Sequence, residues 1–179
     1  MAYGVGLIFD RQTDASIRGV WQKLHDRGMV TPLCLPGSLP HISLILSETL
    51  RVDEALERIE ETARALPRLE IRFSTLGVFT HPDLVLFYGI TPTAELIGFH
   101  AALKQAYLQC TTALIPASQP GAWVPHCSLT GRLDSSQVQA GIMVAAGTPL
   151  PFVTQYIELA VVEFDRSGVK TLKVIRVAA

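Results

Sequence analysis

The sequence predicts an α+β fold: two pseudo-symmetric lobes of antiparallel sheet, helices on the outside, and one central cleft. Three observations lead there. Apolar alternation of period two and apolar stripes of period 3.6 take turns along the chain, so strands and helices interleave. The pattern runs twice, as strand, helix, strand, helix, hairpin, then helix, strand, helix, hairpin. A short segment also returns: Pro40-His41-Ile42-Ser43-Leu44 reappears as Pro125-His126-Cys127-Ser128-Leu129, its histidine 85 residues later (126 − 41). No Pro-, Gly- or Ser-rich linker separates the copies. The 179 residues are therefore expected to form a single bilobal domain, with approximate halves 1–90 and 91–179 that share one cleft.

Each element has its local reason. Tyr3 to Phe9 is an apolar run and reads as a buried strand. Thr13 or Asp14 can cap a helix in which Ile17, Val20, Trp21 and Leu24 recur at helical spacing, with Gly28 as the stop. Met29 to Pro40, with three prolines and a glycine, is a loop leading into the first motif strand, His41 to Leu46. Val52, Ala55, Leu56, Ile59, Ala63 and Leu66 form the stripe of a second helix, which Pro67 ends. Leu69 to Phe79 and Leu84 to Ile90 read as a hairpin about the His81-Pro82-Asp83 turn. Thr93 caps a helix with Leu96, His100, Leu103 and Tyr107 on one side; a loop carrying Pro116, Pro120 and Gly121 then delivers the second motif strand. Asp134 or Ser135 opens a weaker helix with Val138 and Ile142 on one side, ending by Gly147. Phe152 to Phe164, the Asp165-Arg166-Ser167-Gly168 turn and Lys170 to Val177 make the closing hairpin.

The chemistry lies in the repeated segment. In a strand, residues i and i+2 face the same side. His41 and Ser43 then share one face, as do His126, Ser128 and Thr130. Two such strands side by side bring two imidazoles and two hydroxyls into one cleft. That set suits phosphodiester chemistry: one imidazole takes a proton from the attacking oxygen, the other protonates the leaving oxygen, and hydroxyls hold the phosphoryl oxygens. The doubled Pro-His-x-Ser-Leu segment resembles the motifs of the 2H phosphoesterase superfamily. That group includes the bacterial RNA 2′,3′-cyclic phosphodiesterases, also called 2′-5′ RNA ligases, and the plant and fungal cyclic nucleotide phosphodiesterases. The resemblance implies the bilobal α+β fold and a metal-independent cyclic phosphodiesterase acting on a 2′,3′-cyclic phosphate of an RNA end or small nucleotide. It implies His41 and His126 as catalytic groups, Ser43 and Ser128 as phosphate donors, and no cofactor or metal. The two motifs are pseudo-equivalent, so the residues alone leave open which histidine is acid and which base; the resemblance assigns water activation to His126. It also offers Arg132, at +6 from His126, as a contact to phosphate or ribose. Trp123, Phe79 and Tyr88 are aromatic candidates for stacking a base, and Thr130 is a further candidate contact. Ordinary packing is the bland reading for each aromatic, and a solvated loop position for Arg132. His100, on an apolar helix face, reads as a satisfied core residue; His25 and His81 fall at a helix end and in a turn.

Composition bounds the alternatives. The chain is 49% hydrophobic and 17% charged with a formal net charge of −1, which gives no basic footprint for extended duplex nucleic acid. Cys34, Cys110 and Cys127 lack metal-ligand or CxxC spacing and fit a reducing compartment. The amino terminus shows no signal-peptide pattern, and no charge-free run is apolar enough to span a membrane, so a cytoplasmic monomer is expected. A zinc hydrolase using His41, His126 and Cys127 is disfavoured, because Cys127 faces away from His126 on a strand. A serine hydrolase lacks its G-x-S-x-G elbow. A nucleotide- or RNA-end-binding module with little turnover is the remaining alternative; two intact histidines argue against it.

Overall fold

The computed structural model describes residues 1–119 and 121–176, with residues 155–157 described by their backbone alone. Seven strands and four α-helices follow in the order β1 (Ala2–Phe9), α1 (Arg11–His25), β2 (His41–Ser47), α2 (Val52–Arg64), β3 (Glu70–Phe79), β4 (Val85–Ile90), α3 (Ala94–Leu108), β5 (His126–Ser128), α4 (Ser135–Ala145), β6 (Phe152–Asp165) and β7 (Gly168–Arg176) among the described residues. They form two four-stranded antiparallel sheets, β2-β1-β6-β7 and β6-β3-β4-β5, that share the long β6. The first four residues of β6 pair with β3, and the rest pairs with β1 and β7.

The helices form where the apolar spacing demands. Ile17, Val20, Trp21 and Leu24 of α1 and Leu96, Phe99, Leu103 and Tyr107 of α3 are buried. The cap of α1 is Asp10, which accepts the Thr13 amide at 2.8 Å, rather than Thr13 or Asp14. The chain turns into the helix directly from β1, so the first polar residue after the strand takes the cap. Thr93 caps α3 as expected, and Asp134 makes a capping box with Gln137 on α4. On α4 the buried positions are Gly141 and Ala145; Ile142, expected on the inner side, is 36% exposed. Small residues face inward because α4 lies close on β4 and α1. Val177 and Pro120 lie outside the described residues.

Each sheet draws strands from both sides of residue 90. The pairing defines a different repeat: strand, helix, motif strand, helix, strand. It runs β1-α1-β2-α2-β3 and then β4-α3-β5-α4-β6, with β7 added. Corresponding elements start at near-constant offset: Arg11 to Ala94 is 83 residues (94 − 11), and Val52 to Ser135 is 83 (135 − 52). The last strand of each repeat crosses over. β3 pairs with β4 of the second repeat, β6 pairs with β1 of the first, and β3 and β6 pair with each other at the centre. Phe73 and Phe152 sit opposite one another there and stack at 4.4 Å. Phe9 and Tyr88 pack edge-on to Phe73 at 5.3 and 6.3 Å, so one aromatic cluster ties the sheets together.

Candidate active site

Both motif strands are edge strands. Among the described strands β2 pairs with β1 alone and β5 with β4 alone; the far end of β2 also makes an isolated bridge between Ser47 and Leu114. The two edges pack against each other across the pseudo-twofold axis. Their backbones come close enough for the Cys127 thiol to meet the His41 amide. Cys127 itself faces the core, 1% exposed, and burial pushes its thiol up to about 12.

The two histidines are held alike. The Nδ1–H of His41 donates to the Leu39 carbonyl at 2.6 Å, and that of His126 to the Val124 carbonyl at 2.7 Å. A carbonyl can only accept, so each neutral imidazole carries its proton on Nδ1 and turns a bare Nε2 outward. The His41 Nε2 accepts from the Ser43 hydroxyl at 3.0 Å. The carbonyls two residues back thus fix both tautomers in the form proton transfer needs. Burial in the cleft lowers the pKa of both imidazoles; the carbonyl bonds offset part of this, and the nearby His41 lowers His126 further. His41 keeps its ring open to the cleft while the protein packed around it strips away much of its hydration.

The serines are held from behind by two indoles. Trp123 Nε1–H donates to the Ser43 carbonyl at 2.8 Å, and Trp21 Nε1–H to the Ser128 carbonyl at 3.0 Å. These are outward carbonyls of edge strands, and each indole stands in for a missing strand neighbour. The strand carrying His41 also has a bulge: Val5 pairs with Ile45 and Gly6 with Ser43, leaving Leu44 over. The Leu44 carbonyl accepts from His100 Nε2 at 3.0 Å, and His100 stacks on Trp123 at 4.0 Å, which is the satisfied core role expected for that histidine.

The other expected contacts fall out differently. Tyr88 is fully buried and donates its hydroxyl to the Ala145 carbonyl at 2.8 Å, so it belongs to the core and cannot stack a base. Thr130 is 2% exposed, and its hydroxyl accepts the Leu86 amide, closing the end of the sheet beyond β5; the residue also lines the cavity that holds His41 and Ser43. Strand β5 stops at Ser128, so the alternation that put Thr130 beside it does not extend that far. Trp123 is spent on Ser43 and His100. Arg132 lies on the loop after β5, largely exposed, paired with Asp83 at 3.3 Å. Phe79 does reach the site: it meets His126 edge-on at 4.8 Å and stacks on Phe87 at 4.2 Å. Phe87, which the sequence did not single out, also leans on His126 at 5.3 Å. It sits opposite Ser128 in the β4–β5 register, a pairing that strand alternation alone does not give. Beside His41 and Ser43 a cavity of about 550 Å3 opens between the first sheet and the loop after α1. Neither His126 nor Ser128 is among its lining residues.

Two edge strands presenting mirrored His-x-Ser pairs are the arrangement of a two-histidine phosphoesterase. A profile of the 2′-5′ RNA ligase superfamily matches residues 12–168, and the chain belongs to that family. The fold is shared with solved structures over nearly full length. TT0787 of Thermus thermophilus superposes with a TM-score of 0.70 at 15% identity, covering 99% of this chain and 98% of that one. LigT of E. coli complexed with 3′-AMP gives 0.64 at 13% identity, covering 99% and 97%. The same LigT complexed with phosphate gives 0.58 at 14% identity, covering 99% and 97%. No curated protein matches the sequence. Family membership supports an enzyme of the phosphodiesterase type, acting on phosphodiester bonds. Among the described residues no helix is long and apolar enough to cross a membrane.

Proposed function

We propose that the protein is a metal-independent cyclic phosphodiesterase that opens a 2′,3′-cyclic phosphate on a nucleotide or RNA end. The observation that supports this is the matched pair of Nδ1–H···O=C bonds, which set the same tautomer in the histidines of two neighbouring His-x-Ser strands. His126 takes a proton from water as its oxygen forms the new bond to phosphorus. His41 gives its Nε2 proton to the ribose oxygen as the bond from phosphorus to that oxygen breaks. The product is a ring-opened phosphate monoester, and the histidines exchange protons with solvent to reset. The Ser43 and Ser128 hydroxyls donate to the two free phosphoryl oxygens. The complexes of LigT with 3′-AMP, phosphate, ATP and NADP+ support a nucleotide ligand for this cleft.

The test is hydrolysis of a nucleoside 2′,3′-cyclic phosphate in excess EDTA. Activity should persist. His41→Ala and His126→Ala should each lose at least about 10²-fold in turnover, the low end for a positioned acid or base. Ser43→Ala and Ser128→Ala should lose about tenfold, the worth of one hydrogen bond to a charged group. Loss of all activity on chelation, restored by zinc, would sink the two-histidine mechanism.

A further inference from the structure

The first motif strand changes face partway along. Ile45 and Ser47 of β2 are buried, and a regular strand would carry that face back to Ser43 and His41. Both motif side chains would then point into the core. Instead Ile42 and Leu44 are buried, and His41 and Ser43 line the cavity. The reversal happens at the bulge. Gly6 lies opposite Ser43 and Val5 opposite Ile45, so Leu44 is the extra residue. One extra residue exchanges the two faces of a strand. The second motif needs no such correction: His126, Cys127 and Ser128 stay in step with Gly89, Tyr88 and Phe87.

Two stacked rings hold that extra residue. The carbonyls of Ser43 and Leu44 are consecutive, and in a regular strand they would point to opposite edges. Here Trp123 Nε1–H donates to the Ser43 carbonyl at 2.8 Å and His100 Nε2–H to the Leu44 carbonyl at 3.0 Å. The two rings lie 4.0 Å apart and within 4° of parallel, so both donors come from one side. One turn on from His100, Lys104 donates to the Gln119 side chain at 2.8 Å, and the Trp123 amide donates to the Gln119 carbonyl at 2.9 Å. Helix α3 and the arm ahead of β5 are thus tied together beside the stack. Beyond the bulge the strand is fixed. The Leu46 amide donates to the Ser118 hydroxyl, the Ile115 amide to the Leu46 carbonyl, and the Ser47 and Tyr107 hydroxyls meet at 2.7 Å. The end left to slip is the one that carries His41 and Ser43.

We infer that His100 and Trp123 are positioning residues: their stacked pair holds the bulge at Leu44, and the bulge turns His41 and Ser43 into the cleft. His100 thereby has a part beyond filling the core, and the arm ahead of the second motif governs the aim of the first. The consequence for turnover rests on the phosphodiesterase reading; the aim itself does not.

The experiment pairs hydrolysis of adenosine 2′,3′-cyclic phosphate with a proton contact that reports the aim. The His41 ring lies against Gly6, where an added Cβ would stand 3.2 Å from it, so a nuclear Overhauser contact should join the ring to the Gly6 α-protons. His100→Leu removes one donor, Trp123→Phe removes the other but keeps a ring in the stack, and His100→Gln keeps a donor where Nε2 stood. His100→Leu and Trp123→Phe should each lose about 10- to 100-fold in kcat/KM per folded molecule, most of it in kcat, the scale on which a misplacement of about 1 Å acts. The losses should not multiply in the double variant, because both act on one bulge. His100→Gln should stay within about threefold of the wild type, since its hydrogen bond is neutral and kept. The contact between His41 and Gly6 should weaken in the two donor-lacking variants and persist in His100→Gln. A contact of equal strength in all of them, or equal losses for His100→Leu and His100→Gln, would overturn the positioning role. Should His100→Leu not fold, Trp123→Phe makes the same test alone. Failure of the wild type to hydrolyse the nucleotide would overturn the phosphodiesterase reading, while the contact would still decide the aim.

Discussion

The protonation state of the two imidazoles is set by a balance that can be read residue by residue. Both sit below the ordinary value of 6.5 because burial disfavours the charged ring. Since the neutral form is favoured in the fold, the stability they contribute is present above the unfolded pKa and is lost as pH falls through their lowered values. Unfolding midpoints should therefore drop below about pH 6, and His41→Gln should flatten that drop. In kinetics, the kcat/KM bell of the free enzyme should be centred below about 6.5, while kcat should peak at higher pH because bound phosphate favours the charged rings. An alkaline limb of kcat/KM beyond about pH 8 would contradict the lowered values. The histidines and serines were legible in the sequence because strand alternation fixes i and i+2. The carbonyl locks at Leu39 and Val124 were not, because they depend on how the chain bends into the strand.

At the scale of elements, the site depends on two edge strands kept straight from outside. The sequence showed that Trp21 is a core position of α1, but not that its N–H reaches the other motif's backbone, because that contact joins parts of the chain 107 residues apart. The same limit hid the bulge at Leu44, which shifts Leu46 into the cavity wall. The hairpin β3–β4 shows how an element positions a catalytic group at one remove. Gly77 lies opposite Phe87, and a Cβ there would stand 2.5 Å from the ring. The glycine lets the ring lie across β3, where it supports Phe79 and His126. Gly77→Val should displace the ring and cost 10- to 100-fold in kcat, roughly the scale on which a misplacement of about 1 Å acts. The His126 imidazole resonances should move and those of His41 stay. If activity falls while the His126 resonances keep their positions, the ring does not position the histidine.

At the scale of the molecule, the duplicated order was legible but its boundary was not. Period and motif locate a repeat; only strand pairing shows which repeat a strand serves. The division drawn near residue 90 follows the hairpins, whereas the sheets exchange their last strands. The aromatic cluster of Phe73, Phe152, Phe9 and Tyr88 sits where that exchange occurs. Phe73→Ala should cost about 3–5 kcal/mol. Because β6 runs through both sheets, denaturation should remain one transition, seen alike by Trp21, which touches the second motif, and Trp123, which touches the first. Two separated transitions in urea would mean that the lobes fold independently. The exchange also has a meaning for assembly. A fragment ending in the His81–Asp83 turn would leave one edge of β1 and the whole of β3 without neighbours, bare edges of the kind that seek another strand. The complementary fragment offers β4 and β6 to cover them. In those terms the chain is an exchanged-strand dimer carried on one polypeptide, so fragments 1–81 and 82–179 should be inert and aggregation-prone apart, yet assemble into an active pair when expressed together.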